Sequence, residues 1–433
     1  MSSGRPLHGF RDFYPAELAQ RNWLFSRWRE VVRRYGFSEY DGPPLEPVEL
    51  YTQKSGAEIV EQLFDFTDKG GRHVSLRPEM TPTFARLVGA RANALRKPVR
   101  WFSIPQLFRY EKAQQGRLRE HFQLNVDIVG EADVTADAEL VACAIDILRA
   151  CGLTSADVRV RVSDRRVLTA WLRAVGVPDA AHDAAFKVID KLERQPAEVS
   201  SDKLAAAGVP ESAIAAVLAA SSTTFDDVAA LLHGGEQQAY ADDFARFLSA
   251  VDTLVGESGW LRFDLGIVRG LAYYTGIVFE VFDTRGKFRA VAGGGRYDQL
   301  LGAIGGTSLP ALGFGMGDVV LSLLLADRGV LGAAGTGLDY WVASQGSGAV
   351  AVQEVMRVAG ALRRRGQRVE YALREQSASK QLKAAVTAGA RFAVLLPPPA
   401  ASDASLPEGS ATVRDLETGV ETRVVLDEWL SAV

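Results

Sequence analysis

Apolar positions recur with helical spacing from residue 15 to residue 35, where Leu24, Trp28, Val31 and Tyr35 follow i, i+4, i+7, i+11 and Gly36 offers a stop. A helix is expected there. The next segment, Asp41-Gly42-Pro43-Pro44-Leu45-Glu46-Pro47, is rich in proline. Proline lacks an N–H donor and resists a helix interior, so an edge strand or a wall is expected. From 61 to 130 strand-like runs alternate with turns. Residues 62–67 meet a turn at Lys69-Gly70-Gly71, and 73–77 read as the return strand. Residues 101–103, 106–111 and 123–129 are also strand-like, and the polar stretch 112–119 makes an unusually charged hairpin tip. Residues 136–151 read as helix. The Ala-rich stretch 160–255 is poor in strand signals and reads as an inserted helical module.

Strand character resumes at 261–264, 277–282 and 288–292. The run Gly293-Gly294-Gly295 lets another backbone or a ligand come close. Residues 329–337 look like a linker. Beyond it the pattern changes to β-α-β-α-β: strands at 338–343, 368–373 and 391–396, helices at 349–365 and 378–388. A small, mostly parallel sheet is expected.

Composition adds exclusions. The chain has 433 residues, enough for two to four domains, with 47% apolar and 24% charged residues. A net charge of −4 excludes a globally basic nucleic-acid coat, but not a local basic face. One such face lies at 336–395, with nine Lys and Arg against four Asp and Glu; it suits a phosphate backbone or a solvated surface. Cys143 and Cys151 stand eight apart on one expected helix, too far for a disulfide, which suits a reducing cytoplasm. The five histidines show no zinc-ligand spacing, so no protein-held metal is expected. No long apolar run opens the chain and none approaches 18 residues, so neither a signal peptide nor a membrane span is expected.

Three segments carry charges that a simple core would not. They are Arg77-Pro78-Glu79-Met80-Thr81, Phe108-Arg109-Tyr110-Glu111 with Gln123 and Asp127 on the returning strand, and Val268-Arg269-Gly270 leading to Tyr273-Tyr274. Gln123 and Asp127 are an even number apart and share one strand face. Buried charges need partners. A floor holding Arg109, Arg269, Glu79 and Asp127 suits a zwitterion plus a polyphosphate: carboxylates take an ammonium, arginines take phosphate or carboxylate oxygens. For any one of these residues the alternative is an internal salt bridge between strands.

Taken together these segments, with the Arg117-x-Arg119 loop, Ala292-Gly-Gly-Gly-Arg-Tyr-Asp298 and Gly313-Phe-Gly-Met-Gly317, resemble the histidyl-tRNA synthetases, from about residue 5 to residue 430. The resemblance implies a class II, α+β fold: a six- or seven-stranded antiparallel catalytic sheet with flanking helices, a helical insertion and a C-terminal α/β anticodon-binding domain. It divides the chain into catalytic core (1–159), insertion (160–255), core (256–328) and anticodon domain (336–433). The dimer-forming first motif would span the helix before Gly36 and the strand through Leu45, implying a homodimer. The implied reaction ligates L-histidine to tRNA(His) through a histidyl-adenylate, consuming ATP with Mg²⁺ and releasing AMP and pyrophosphate.

The same resemblance assigns roles. Glu79, Thr81 and Gln123 would hold the α-ammonium of histidine, with Met80 in the same histidine site, while Asp127 and Tyr274 would bond its two ring nitrogens and Tyr273 would line the pocket. Arg109 would clamp the α-phosphate of ATP and Glu111 would accept from the adenine amino group. Arg269 would sit between phosphate and carboxylate, making Arg109 and Arg269 the catalytic pair. Arg117 would reach ATP, and Arg117 and Arg119 the tRNA acceptor end.

Two positions depart from the family pattern. Ala272 stands where an Asp is usual, and Val320 where the third motif normally ends in a γ-phosphate-binding arginine. Arg296, Arg328 or Mg²⁺ could take over that contact. The loss also favours a rival, the non-catalytic histidine-sensing regulatory subunit of ATP phosphoribosyltransferase, although that subunit usually lacks the C-terminal α/β domain. A synthetase paralogue serving another acceptor is the second rival.

Overall fold

The computed structural model describes residues 4–52, 60–112, 114, 116–268, 274–333, 337–398 and 409–432. Two compact units divide the chain at residues 333 and 334.

The first unit opens with helix α1 (Pro15–Arg34), whose Leu24, Trp28, Val31 and Val32 are buried. Strand β1 (Ser38–Glu39) follows. The proline-rich segment supplies β2 (Leu45–Pro47), which with β3 (Phe64–Thr67) and β4 (His73–Leu76) forms a small antiparallel sheet in the order β2-β4-β3. That puts the prolines on an edge strand. Helix α2 (Thr81–Arg91) then leads to β5 (Val99–Ser103), β6 (Gln106–Phe108) and β7 (Glu120–Val129), followed by the buried helix α3 (Val134–Ala150). Both cysteines are buried and unpaired.

The segment expected to be a helical insertion starts with a strand. Residues Val158–Asp164 form β8, which pairs along its whole length with β10 (Ile277–Asp283), with β9 (Leu261–Phe263) on its other side. Its alternation of apolar and charged residues, Val158-Arg-Val-Arg-Val162, is a strand signal that the Ala-rich average over a hundred residues hides. Short helices follow, ending in α4 (Gly235–Val255), and their apolar faces belong to the same continuous core as α1 and α3.

Expectation and structure also differ at residues 288–292. The strand, β11, spans Ala292–Arg296 and is built from the glycines themselves. It lies between β10 and β12 (Ala311–Gly317), where a Cβ at Gly295 would come 2.5 Å from the Ile277 carbonyl oxygen. Glycine has weak intrinsic strand preference, but crowding by two backbones leaves no room for anything else.

Among the described residues the main sheet has nine strands, not six or seven, in the order β1-β5-β7-β12-β11-β10-β8-β9, with β6 beside β7. Its pairs from β5 to β8 are antiparallel, whereas β1-β5 and β8-β9 are parallel. Helix α5 (Asp318–Asp327) closes the unit.

The second unit contains the expected alternation: β13 (Tyr340–Ser344), α6 (Ala349–Arg364), β14 (Val369–Tyr371), α7 (Ala378–Thr387) and β15 (Phe392–Leu396), with β14-β13-β15 parallel. An antiparallel extension, β16 (Ser410–Asp415) and β17 (Glu421–Val425), and a last helix (Leu426–Ala432) complete it.

Candidate active site

The site floor is a pair of strands with complementary patterns. On β7, Leu124, Val126 and Ile128 are fully buried on one face, leaving Gln123, Asn125 and Asp127 on the other. On β12, Leu312, Phe314 and Met316 pack in the core, and glycines occupy the alternate positions 313, 315 and 317. The register sets Asp127 opposite Gly313, Asn125 opposite Gly315 and Gln123 opposite Gly317. The polar side chains of one strand thus lie over the bare backbone of the next. A Cβ at Gly313 would collide with Asp127 Oδ1, and one at Gly315 would come 2.6 Å from Gln123 Nε2.

Two adjoining cavities sit on this floor. The smaller, about 130 Å³, is lined by Glu79, Thr81, Gln123, Asn125, Asp127, Tyr274 and Tyr297. The larger, about 360 Å³, is lined by Glu111, Arg117, His121, Glu280, Arg289 and Val320. Arg109, Gln123, Gly293 and Gly315 line both.

Each wall has a local cause. Glu79 precedes α2, which has Pro82 in its first turn, so the carboxylate stands near a helix N-terminus. Arg77 is nearly fully buried and fully used: its Nε donates to the Gln106 carbonyl at 3.0 Å, and its Nη1 to Asp41 Oδ1 and the Gly42 carbonyl at 2.7 Å each. It holds the chain before Glu79 in place. Arg109 donates through Nε to the Pro78 carbonyl at 2.9 Å, which aims its guanidinium at the junction of the cavities. Glu111 lies 4.0 Å from Arg109 and 3.0 Å from Arg117 Nε. Asp318 accepts the Phe122 N–H and an Arg11 Nη1–H, both at 2.9 Å, and so fastens the start of α5 to β7.

Burial pushes the Asp127 carboxyl up to about 7, against a hydrogen bond donated by the Tyr297 hydroxyl that favours ionisation. Burial, and then the positive charges of Arg109 and Arg11, push His121 down to about 3, so its imidazole is neutral at working pH.

Glu79, Thr81, Arg109, Glu111, Arg117, Gln123, Asp127 and Tyr274 therefore meet as expected from the sequence. Met80 does not line either cavity; it is fully buried, its sulfur 3.9 Å from Arg77 Nη1. Arg119 is also outside them, its guanidinium 4.1 Å above the Tyr110 ring. Arg269, Ala272 and Tyr273 lie outside the described residues. Neither arginine proposed to replace the missing third-motif cation reaches the cavities. Arg296 is buried against Asp137 at 2.5 Å, and Arg328 is held by Asp157 at 3.0 Å and Asp283 at 2.5 Å. Sequence reading missed Asn125, His121 and Tyr297. The strand parity of Gln123 and Asp127 would have found the first two, and the Gly-Gly-Arg-Tyr motif the third. Glu280 and Arg289 carried no such signal.

Adjoining cavities with this polar lining suit a small zwitterion beside a larger anion. Comparison with known proteins agrees. The family profile described as histidyl-tRNA synthetase matches residues 9–317, and that of an anticodon binding domain matches 341–433. The chain belongs to the histidyl-tRNA synthetase family. It is 42% identical over 429 residues to a histidine--tRNA ligase of Opitutus terrae, covering 98% of this chain and 96% of that one. With the chloroplastic/mitochondrial histidine--tRNA ligase of Arabidopsis thaliana it shares 40% identity, covering 98% and 85%. The histidyl-tRNA synthetase crystal structure from a Nostoc species superposes with a TM-score of 0.83 at 23% identity, over 100% of this chain and 99% of that one, and so shares the fold. Within this histidyl-tRNA synthetase family member the glycine floor has a testable consequence. Gly315→Ala brings a methyl group first against the Gln123 amide, the movable end of a side chain, so the fold tolerates it, with a melting temperature within about 3 °C of wild type. The Michaelis constant for histidine should rise about tenfold, as steady-state kinetics would show.

Proposed function

We propose that this protein ligates L-histidine to tRNA(His) through a histidyl-adenylate, at the expense of ATP. The observation that carries the reading is the place of Arg109, on the wall shared by the two cavities. In the smaller cavity, Glu79, Thr81 and Gln123 would take the α-ammonium, and Asp127 and Tyr274 the imidazole nitrogens. A site built on such pairs rejects analogues that leave a buried polar group unmatched. The nucleotide, entering as its Mg²⁺ complex, would occupy the larger cavity with Glu111 toward the adenine amino group. Histidine's carboxylate would then meet the α-phosphate beside Arg109.

The carboxylate oxygen forms a bond to the α-phosphorus. The bond from that phosphorus to the oxygen bridging to the β-phosphate breaks, and pyrophosphate leaves with the electron pair. No protein nucleophile or strong base is required, so catalysis is positioning and electrostatics. Arg109, with Arg269 from the motif outside the described residues, would stabilise charge growing on the transferring phosphoryl group. In the second half-reaction the terminal adenosine of the tRNA takes the histidyl group and AMP leaves, with Arg117 and Arg119 nearest the acceptor end.

Support for a tRNA partner comes from the anticodon-domain match over 341–433. Family resemblance supports a homodimer, which light scattering on the purified protein tests. Among the described residues no helix is long and apolar enough to cross a membrane; cytoplasmic residence is our reading. Val320 favours the histidine-sensing regulatory reading, whereas Arg109 and Glu111 on the cavity wall and the C-terminal domain favour the ligase.

Histidine-dependent ATP–pyrophosphate exchange decides between them. Exchange with histidine alone among the amino acids is expected, followed by charging of tRNA(His). Tight histidine binding without exchange would overturn the ligase reading.

A further inference from the structure

We propose that Arg289 binds the β- and γ-phosphates of the nucleotide, in place of the arginine that Val320 has displaced. This rests on the larger cavity being the ATP site.

Val320 is on the wall of that cavity, where it leaves the start of α5 without a cation. The hairpin tip packs against it, since a Cβ at Gly116 would lie 3.6 Å from Val320 Cγ2, so both elements border the same end of the cavity. A polyphosphate entering this cavity carries several negative charges into a partly desolvated space, which needs fixed cations. Arg117 is there but already paired with Glu111 at 3.0 Å. Arg296 and Arg328 are spent on buried carboxylates elsewhere.

Arg289 is different. It is half-buried, lines the same cavity, and makes no hydrogen bond or ion pair with another described residue. Its loop is tied to the missing contact's own element, because the Gly317 N–H at the end of β12 donates to the Val291 carbonyl at 3.3 Å. Arg289 thus reaches the cavity from the loop before β11, whereas Val320 stands in the first turn of α5. Glu111 and Glu280 line the same cavity, but Arg289 is paired with neither, and an unpaired guanidinium there is available to an anionic ligand. Because the substitution of one cation by another keeps the charge but changes the element that delivers it, Val320 need not mean a lost activity.

The test uses the full-length protein and two probes in calorimetry: ATP, and a histidyl-sulfamoyl adenylate analogue, which lacks the β- and γ-phosphates. Arg289→Ala should weaken ATP binding roughly 10- to 100-fold, the range for one charge-assisted contact, and leave the analogue within about threefold. Arg289→Lys should recover part of the loss, and Val320→Arg in the Arg289→Ala background should restore ATP binding by returning a cation from α5. Unchanged ATP affinity, or equal weakening of both probes, would overturn the proposal, the latter by marking a general distortion of the site. Wild-type protein that binds ATP but shows no histidine-dependent exchange would instead overturn the ligase reading, and the ATP measurement would still judge Arg289.

Discussion

Arg109→Ala is expected to lower histidine-dependent pyrophosphate exchange by about 100- to 1,000-fold, the usual cost of removing one preorganised donor aimed at developing charge. The size follows from position. Arg109 lines both cavities, so its guanidinium serves the carboxylate that attacks and the phosphate that is attacked. Its orientation is built in before substrate arrives, through the 2.9 Å bond from Nε to the Pro78 carbonyl. The other cations near it do not replace it: Arg117 pairs with Glu111, and Arg11 with Glu120 and Asp318. Stability should change little, because the variant forfeits one hydrogen bond on a part-exposed side chain, about 1 kcal/mol. Rapid-quench and steady-state exchange should place the loss in the rate of adenylation more than in histidine affinity. Arg109→Lys, which keeps a point charge but not the fork, should recover only a fraction. An alanine variant exchanging within threefold of wild type would remove Arg109 from the mechanism.

Asp127→Asn should raise the Michaelis constant for histidine about 10- to 100-fold, the value of a hydrogen bond to a charged group, while making the unliganded protein more stable at alkaline pH. Both effects have one cause. Burial lifts this carboxyl from its ordinary value near 3.8 to about 7. Below pH 4 the folded and unfolded chains both hold the proton. Between 4 and 7 the unfolded chain releases it and the folded chain keeps it, so stability falls as pH rises. Above 7 the full cost is present, up to about 4 kcal/mol for a shift of this size, and Asn escapes it. His121 works in the opposite sense: with its proton affinity depressed to about 3, it removes stability as pH falls below 6.5. The wild-type pH profile therefore mixes two slopes, and the difference between wild type and Asp127→Asn isolates one. Melting curves at pH 5 and pH 8 should show the variant's gain over wild type larger by several degrees at the higher pH. The same difference at both would mean that Asp127 is not held in a desolvated site. A site that keeps a carboxyl half-ionised near neutrality at a cost in stability is one arranged for a ligand that donates to it, as an imidazole N–H does.

Much of this molecule was legible in its residues. The helix over Pro15–Arg34, the edge strand at the prolines, the charged hairpin and the alternation after residue 337 follow from local periodicity and the missing proline donor. Gln123 and Asp127 shared a face because strand geometry has a period of two, whatever surrounds it. Motif order pointed to the family because so many constrained positions do not recur together in unrelated chains.

Other features belonged to the tertiary structure. Strand β11 is made of residues that avoid strands, since two neighbouring backbones leave no space for a side chain. Strand β8 joined the main sheet because β10 and β9 flank it. The roles of the arginines were the least legible. A guanidinium is the same group at every position, and whether it faces substrate depends on which carboxylate lies nearby. Arg77 meets Asp41 across 36 residues, Arg296 meets Asp137 across 159, and Arg328 meets Asp157 across 171. Such long-range pairing consumed two cations that the chain seemed to offer the phosphates, and left Arg289, which no motif marked, facing the cavity. The sequence by itself determined which charges the protein carries and which strand faces present them; only the folded chain decided which of those charges remain for a ligand, because Coulomb partners are chosen by distance in space rather than along the chain.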